Sequence, residues 1–195
     1  MSFQLLTRNI LILFVLSLMA ACGGYHDQHQ KDYRLFFNVE DDDLRREAGR
    51  LVDEFNRRTG AVVLKLAPVP EEANSTVELL AGLRDAEGKL GFGQWETATV
   101  QEPSIRHLEG RALKRRIDYT MHLEFDLEYF TARVGLPDDH PERQELSLLF
   151  FHEVGHGLQM DHDDDPHSVM YPVIHGVDGI NYDRFFERVA AFFGL

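Results

Sequence analysis

A chain of 195 residues with 44% hydrophobic content is long enough for one compact domain with its own core. Its 33 acidic residues outnumber 20 Lys and Arg for a net charge of −13, which argues against nucleic acid, whose phosphates call for Lys/Arg patches, and reads as a solubility device. The single cysteine, Cys22, excludes an intramolecular disulfide and a cysteine-rich zinc cluster.

The chain opens with a targeting pattern. Arg8 supplies a positive start, and Ile10 to Ala21 is an unbroken apolar or small run. Twelve such residues are too few for a helix across a bilayer core of about 30 Å, but they suit the apolar region of a signal peptide. Ala20-Ala21-Cys22 resembles a bacterial lipobox, although Met19 stands where Leu is more usual. That resemblance implies cleavage before Cys22 and lipidation of its sulfur and amine. Gly23 after the cysteine implies the outer membrane, on its periplasmic or surface face. The expected organisation is a lipoprotein signal peptide over 1–21, a lipidated cysteine with a polar tether over 22–32, and a folded domain over 33–195. His26 and His29 are expected to be solvated tether residues.

Arg34 to Val39 reads as a buried strand. The acidic run Glu40 to Asp43 suits the N-terminus of a helix. That helix runs from Leu44 to Arg58 on the stripe Leu44, Ala48, Leu51, Val52 and Phe55, and Gly60 stops it. Ala61 to Ala67 is a strand broken by Pro68. Thr76 to Leu83 fits strand or helix. Leu90 to Val100 is a strand whose Gly91 and Gly93 suit a bulge or a close backbone approach. Lys114 to Phe130 alternates as a half-buried strand, with His122 out of phase and facing solvent or a cleft.

The next helix starts with Asp139 as cap, Pro141 in the first turn and Glu142 placed as in a capping box. Leu146, Leu148, Leu149, Phe150, Phe151, Val154 and Leu158 make it apolar almost all round, as a central helix is. It carries His152-Glu153-Val154-Gly155-His156. Positions i and i+4 share a helix face, so the two imidazoles can meet one metal ion, with Glu153 beside them as a general base. Metal coordination gives these polar groups a reason to be on a buried helix. Asn181 to Leu195 reads as an amphipathic C-terminal helix packed on the core. The order of elements predicts an α+β domain, a twisted mixed sheet of about 4–5 strands with an active-site helix, a packing helix and a C-terminal helix.

His162 lies six residues past His156, Gly157 follows the second histidine, and Ser168-Val169-Met170-Tyr171-Pro172 comes next. Over residues 150–172 this resembles the metzincin zinc metalloproteases, and within them the matrixin branch. The resemblance implies that His152, His156 and His162 bind one catalytic zinc, that Glu153 is the catalytic base acting on a zinc-bound water, and that Met170 forms an apolar floor below the metal. It implies an endopeptidase that binds an extended peptide along an edge strand, here Leu90 to Val100, with a pocket wall from Val173 to Asp178. A monomer is expected. No cysteine switch is expected, because Cys22 sits at the predicted processing site.

The family glycine between the second and third histidines falls at Gln159, so the turn out of the helix must be made by a residue with a side chain. That leaves Asp161 or Asp163 as alternative ligands to His162. The acidic residues Asp161, Asp163, Asp164 and Asp165 form a solvated loop by default, with calcium as a weaker alternative. His167 and His175 are expected at the surface or in the cleft. Two other readings compete: a gluzincin-type metalloprotease whose third ligand is Glu187, and a non-catalytic lipoprotein that keeps a structural zinc.

Overall fold

A computed structural model of the chain describes residues 26–101, 114–174 and 176–195. The predicted signal peptide and Cys22 lie outside the described residues, as does His175. The chain divides into two units, one of Lys31–Thr97 with Tyr119–Leu195 and one that includes His26–Gln30 and Ala98–Asp118.

The larger unit is α+β, as predicted. Its strands are β2 (Tyr33–Phe37), β3 (Leu64–Leu66), β4 (Ser75–Leu80), most of β5 (Gly91–Gln101) and the second half of β6 (Lys114–Asp126). β6, β4, β2 and β3 lie side by side in parallel, with Leu35 opposite Ser75 and Val77 opposite Leu123. β5 pairs with β6 and with no other described strand. The helices are α1 (Asp42–Thr59), α2 (Leu83–Glu87), α3 (Leu127–Thr131), α4 (Pro141–Gly157) and α5 (Tyr182–Phe193).

The helical stripes of the sequence become the core. Leu51, Phe55, Phe150, Phe151, Phe185 and Val189 are buried with the inward residues of the sheet. Phe55 is the hub: its ring centroid lies 5.7 Å from Phe151 and 5.4 Å from Phe186, in the edge-to-face arrangement that aromatic quadrupoles favour. From Leu146 on, α4 is buried almost all round, which its nearly continuous apolar sequence requires. Among the described residues no helix is long and apolar enough to cross a membrane.

Several boundaries move, each for a local reason. The strand expected over Ala61 to Ala67 shortens to Leu64–Leu66. Gly60 caps α1 in the left-handed region, and Asn56 Oδ1 takes the N–H groups of Val63 and Leu64, which turns 61–63 into the connection. The ambiguous segment at Thr76 is strand to Leu80, and Gly82 at φ 73° turns the chain into α2. The strand expected to reach Phe130 ends at Asp126, whose buried carboxylate caps α3 at Tyr129 N and accepts from Arg84 N. The cap of α4 is His140 rather than Asp139: its Nδ1 accepts from Glu142 N at 3.3 Å. Pro141 holds the first turn as expected.

The smaller unit contains part of the expected tether. His26–Gln30 forms β1, paired in parallel with Lys114–Asp118 at the start of β6. A ladder is made by backbone groups, so a polar segment with no apolar alternation can join it. In the larger unit Lys65 Nζ donates to Asp32 Oδ1 at 2.7 Å. Part of the segment expected as a polar tether is therefore strand among the described residues.

Candidate metal centre

The last two turns of α4 place His152 and His156 on one face, and the chain beyond the helix returns His162 to them. The three Nε2 atoms lie 3.1 to 3.3 Å apart. Three nitrogens at about 2.0–2.1 Å from one tetrahedral zinc would be separated by about 3.3–3.4 Å, so the trio has the dimensions of a metal face.

The donor chemistry fits as well. His152 Nδ1 lies 2.8 Å from the Val169 carbonyl and His156 Nδ1 lies 2.9 Å from the Met160 carbonyl. A carbonyl only accepts, so both rings donate through Nδ1 and leave lone pairs on Nε2. Two such lone pairs 3.2 Å apart repel unless a cation lies against both. Burial pushes His152 down to about 4, against the opposing Val169 hydrogen bond, and lowers His156 for the same first reason. Both are thus neutral at physiological pH, the form that ligates metal.

The return of His162 passes through Gln159, whose φ is 66°, the one positive φ outside glycine among the described residues. Gln159 N donates to His156 O at 2.9 Å and Met160 N to Gly155 O at 2.9 Å, the two bonds of a Schellman helix ending. The glycine-less turn therefore has its usual geometry, and it brings His162 to the two helix histidines. Among the described residues the clustered candidate ligands are His152, His156 and His162. Asp161 is exposed. Glu187 is exposed on α5 and outside the cluster, against the gluzincin alternative.

Asp163 has a different role, which the sequence did not suggest. Its Oδ1 accepts from Asp165 N at 2.9 Å, its Oδ2 from Ser168 Oγ at 2.8 Å, and its N donates to Met170 O at 3.0 Å. It pins the His162 loop to the turn that carries Met170. Met170 is fully buried, and a Cβ added at Gly155, between the two helix histidines, would meet its sulfur at 2.4 Å. The methionine thus packs against α4 through a gap that only glycine leaves.

Glu153 is 4% exposed, and burial pushes its carboxyl up to about 8 while the charge of Lys89 draws it down. β5 lies against it. A Cβ on Gly91 would come within 2.6 Å of Glu153 Oε1, and one on Gly93 within 2.3 Å of Glu153 O. The close approach foreseen at these glycines is an approach to the helix carrying Glu153. A cleft of about 630 Å³ opens over the three histidines and Glu153, bounded by Lys89 to Gly93 on one side and Tyr171 to Ile174 on the other. A smaller cavity of about 180 Å³ shares Tyr171, Val173 and Ile174 with the cleft and is also lined by Gly176 and Asp178. His167 is exposed and lines that cavity. His122 lies on the sheet away from this cleft, bonded to Thr76 Oγ1 at 2.7 Å and Glu124 Oε1 at 2.9 Å. A further depression of about 500 Å³ beside α1 is lined by Arg50, Glu54 and Arg58, which pair with one another, and it contains no candidate metal cluster among the described residues.

A helix-borne histidine pair, a third histidine beyond the helix turn and a buried methionine below them define the metzincin class of zinc metalloproteases. Residues 82–183, more than half of the 195-residue chain, match the matrixin family model, and the chain belongs to the matrixin family. No curated protein matches the chain as a relative.

Proposed function

We propose that this matrixin is a zinc-dependent endopeptidase in which His152, His156 and His162 hold the ion and Glu153 moves the proton. One observation carries the reading: three Nε2 atoms within 3.1 to 3.3 Å of one another stand in an open cleft beside a buried glutamate. When bound, zinc supplies a Lewis acid that polarises the scissile carbonyl and acidifies the attacking water. Glu153, which burial alone would keep protonated but which the charge of an ion on the three histidines would draw back to its carboxylate, accepts the proton of that water and returns it to the leaving amine. β5, which pairs only with β6 among the described strands, offers its backbone to an extended peptide, and the Val173–Ile174 wall receives a side chain. Gly91 and Gly93 let that strand reach the helix, so the peptide lies over Glu153.

The net charge of −13 supports a peptide partner over nucleic acid. The lipobox-like Ala20-Ala21-Cys22 supports a lipid anchor on Cys22, and Gly23 after it supports the outer membrane as location. A monomer with zinc as its one cofactor is sufficient for this chemistry.

Metal analysis of the purified protein is expected to give about one zinc per chain, and an unfolded protein substrate is expected to be cleaved. Glu153→Ala is expected to keep the zinc and lose activity by at least about 10²-fold, the usual size of a general-base contribution. A well-folded wild type without zinc or proteolysis defeats the reading. Fatty-acid labelling that is lost in Cys22→Ser tests the anchor.

A further inference from the structure

We propose that Lys89 makes the cleft select substrates bearing a carboxylate close to the scissile bond. The inference rests on the endopeptidase reading and adds a substrate class to it. Beyond its histidines the cleft is lined by glycines, aliphatic residues, two aromatic rings, Pro172 and Glu153, and Lys89 is the one Lys or Arg among the lining residues. Its backbone is held at both ends. Gly88 closes α2 in the left-handed region and donates to Arg84 O at 2.8 Å, and Leu90 O accepts from Asp126 N at 3.0 Å.

The side chain is exposed, and its ammonium lies 5.4 Å from the Phe92 ring centroid. Lys89 lines the cleft two residues before the strand on which the peptide is laid, so a group a residue or two from the scissile bond passes within reach of it.

The rest of the molecule makes this charge selective. With 33 acidic against 20 basic residues, the overall field disfavours an acidic peptide. That field is screened over about 8 Å at physiological ionic strength, so the nearest charges decide inside the cleft. A carboxylate there gains a charge-assisted hydrogen bond from Lys89, while an amide of the same shape does not. Two sources carry the same chemistry: an Asp or Glu side chain, and the free C-terminus of a short peptide.

The test uses the full zinc-loaded protein and one cleavable peptide with Glu or Gln placed in turn at each of the three positions on either side of the cleaved bond. A second pair differs only in a free or amidated C-terminus. Wild type is expected to favour the carboxylate member of one pair by about tenfold in kcat/KM, a typical size for one partly desolvated charge pair. The Glu/Gln pair answering identifies a side-chain carboxylate, and the C-terminal pair answering identifies a chain end. The ratio is expected to fall to about one in Lys89→Met and to invert in Lys89→Glu. Using ratios removes any effect of Lys89 on Glu153 that all peptides share. The same ratios are read as Kd by fluorescence anisotropy on zinc-loaded Glu153→Ala. If wild type cleaves none of the peptides, the endopeptidase reading fails, and the Kd ratios still decide Lys89. Ratios near one in wild type, or unchanged in Lys89→Met, overturn the proposal.

Discussion

Gln159 holds the left-handed conformation that lets His162 turn back to its partners, and it does so with a Cβ. For an L-residue that conformation costs on the order of 1–2 kcal/mol. Gln159→Gly is therefore expected to stabilise the protein by about 1 kcal/mol, less than the full strain because glycine also loosens the unfolded chain. For a chain of this size that raises Tm by about 2–4 °C, which a thermal melt at saturating zinc measures. An unchanged or lower Tm would mean the αL strain is already relieved. The glycines of β5 make the opposite prediction. Gly93→Ala drives a methyl toward the Glu153 carbonyl, with 2.3 Å between heavy atoms, and a backbone atom cannot swing aside. β5 must move off α4, and kcat/KM on a peptide is expected to drop about tenfold or more at unchanged zinc content, since a small misplacement of the reacting groups is enough. Equal activity would show that the strand edge does not set the reaction geometry. The histidines, Glu153, Met170 and the demanding turn at Gln159 were all legible in the sequence, because metal ligation fixes residue type and spacing together. Asp163 was not, because its partners Asp165, Ser168 and Met170 are recognised only once the loop is closed.

At the scale of elements, α4 is held to α1 by charge as well as by aromatic packing. Glu47 is 3% exposed, and Arg143 Nη2 reaches its Oε2 at 2.6 Å while Arg50 Nη2 reaches its Oε1 at 2.6 Å. Arg50 also bonds Glu54 and Ser147. Burial by itself raises the Glu47 carboxyl, but the hydrogen bonds and charges of Arg143 and Arg50 outweigh it and hold the group below its ordinary value of 4.5. A carboxyl whose native value is depressed adds stability that is fully present above its unfolded value and is lost as pH falls through the native one. Unfolding free energy is thus expected to fall as pH drops below about 4.5, and less steeply in Glu47→Gln, as urea titrations across pH 3–7 would show. Glu47→Ala removes the buried carboxylate shared by Arg143 and Arg50, leaves Arg143 with the exposed Asp138 as its carboxylate, and is expected to cost about 3 kcal/mol at pH 7. Periodicity revealed α1, α4 and α5 because a buried face repeats along a helix. It missed β1, whose polar side chains follow no apolar pattern, and it overran β6, because the capping role of Asp126 depends on a helix that starts at the next residue.

At the scale of the whole molecule, no sequence pattern announces the parallel order β6-β4-β2-β3, since each pairing joins segments far apart in the chain. What spacing could announce was the metal centre, and that centre spans more of the fold than its short motif suggests. His152 and His156 belong to the central helix, whereas His162 belongs to a loop joined through Asp163 to the Met170 turn. An ion shared by all three is therefore a cross-link between the core and the segment leading to α5, and it is absent from the unfolded chain. Ligation of the native state alone stabilises by RT ln(1 + [L]/Kd), about 4 kcal/mol at a free zinc concentration 1,000 times Kd. At about 2–4 °C per kcal/mol, zinc is expected to raise Tm by roughly 8–16 °C over a chelator-treated sample. The loop ligand separates this effect from general stability. His162 is exposed, so His162→Ala removes little packing and is expected to melt close to the chelated wild type, with most of the zinc response gone. Glu187→Ala is expected to respond to zinc as wild type does, because its carboxylate lies outside the cluster. A full zinc response in His162→Ala, paired with a lost one in Glu187→Ala, would move the third ligand to α5 and break the link between the loop and the core.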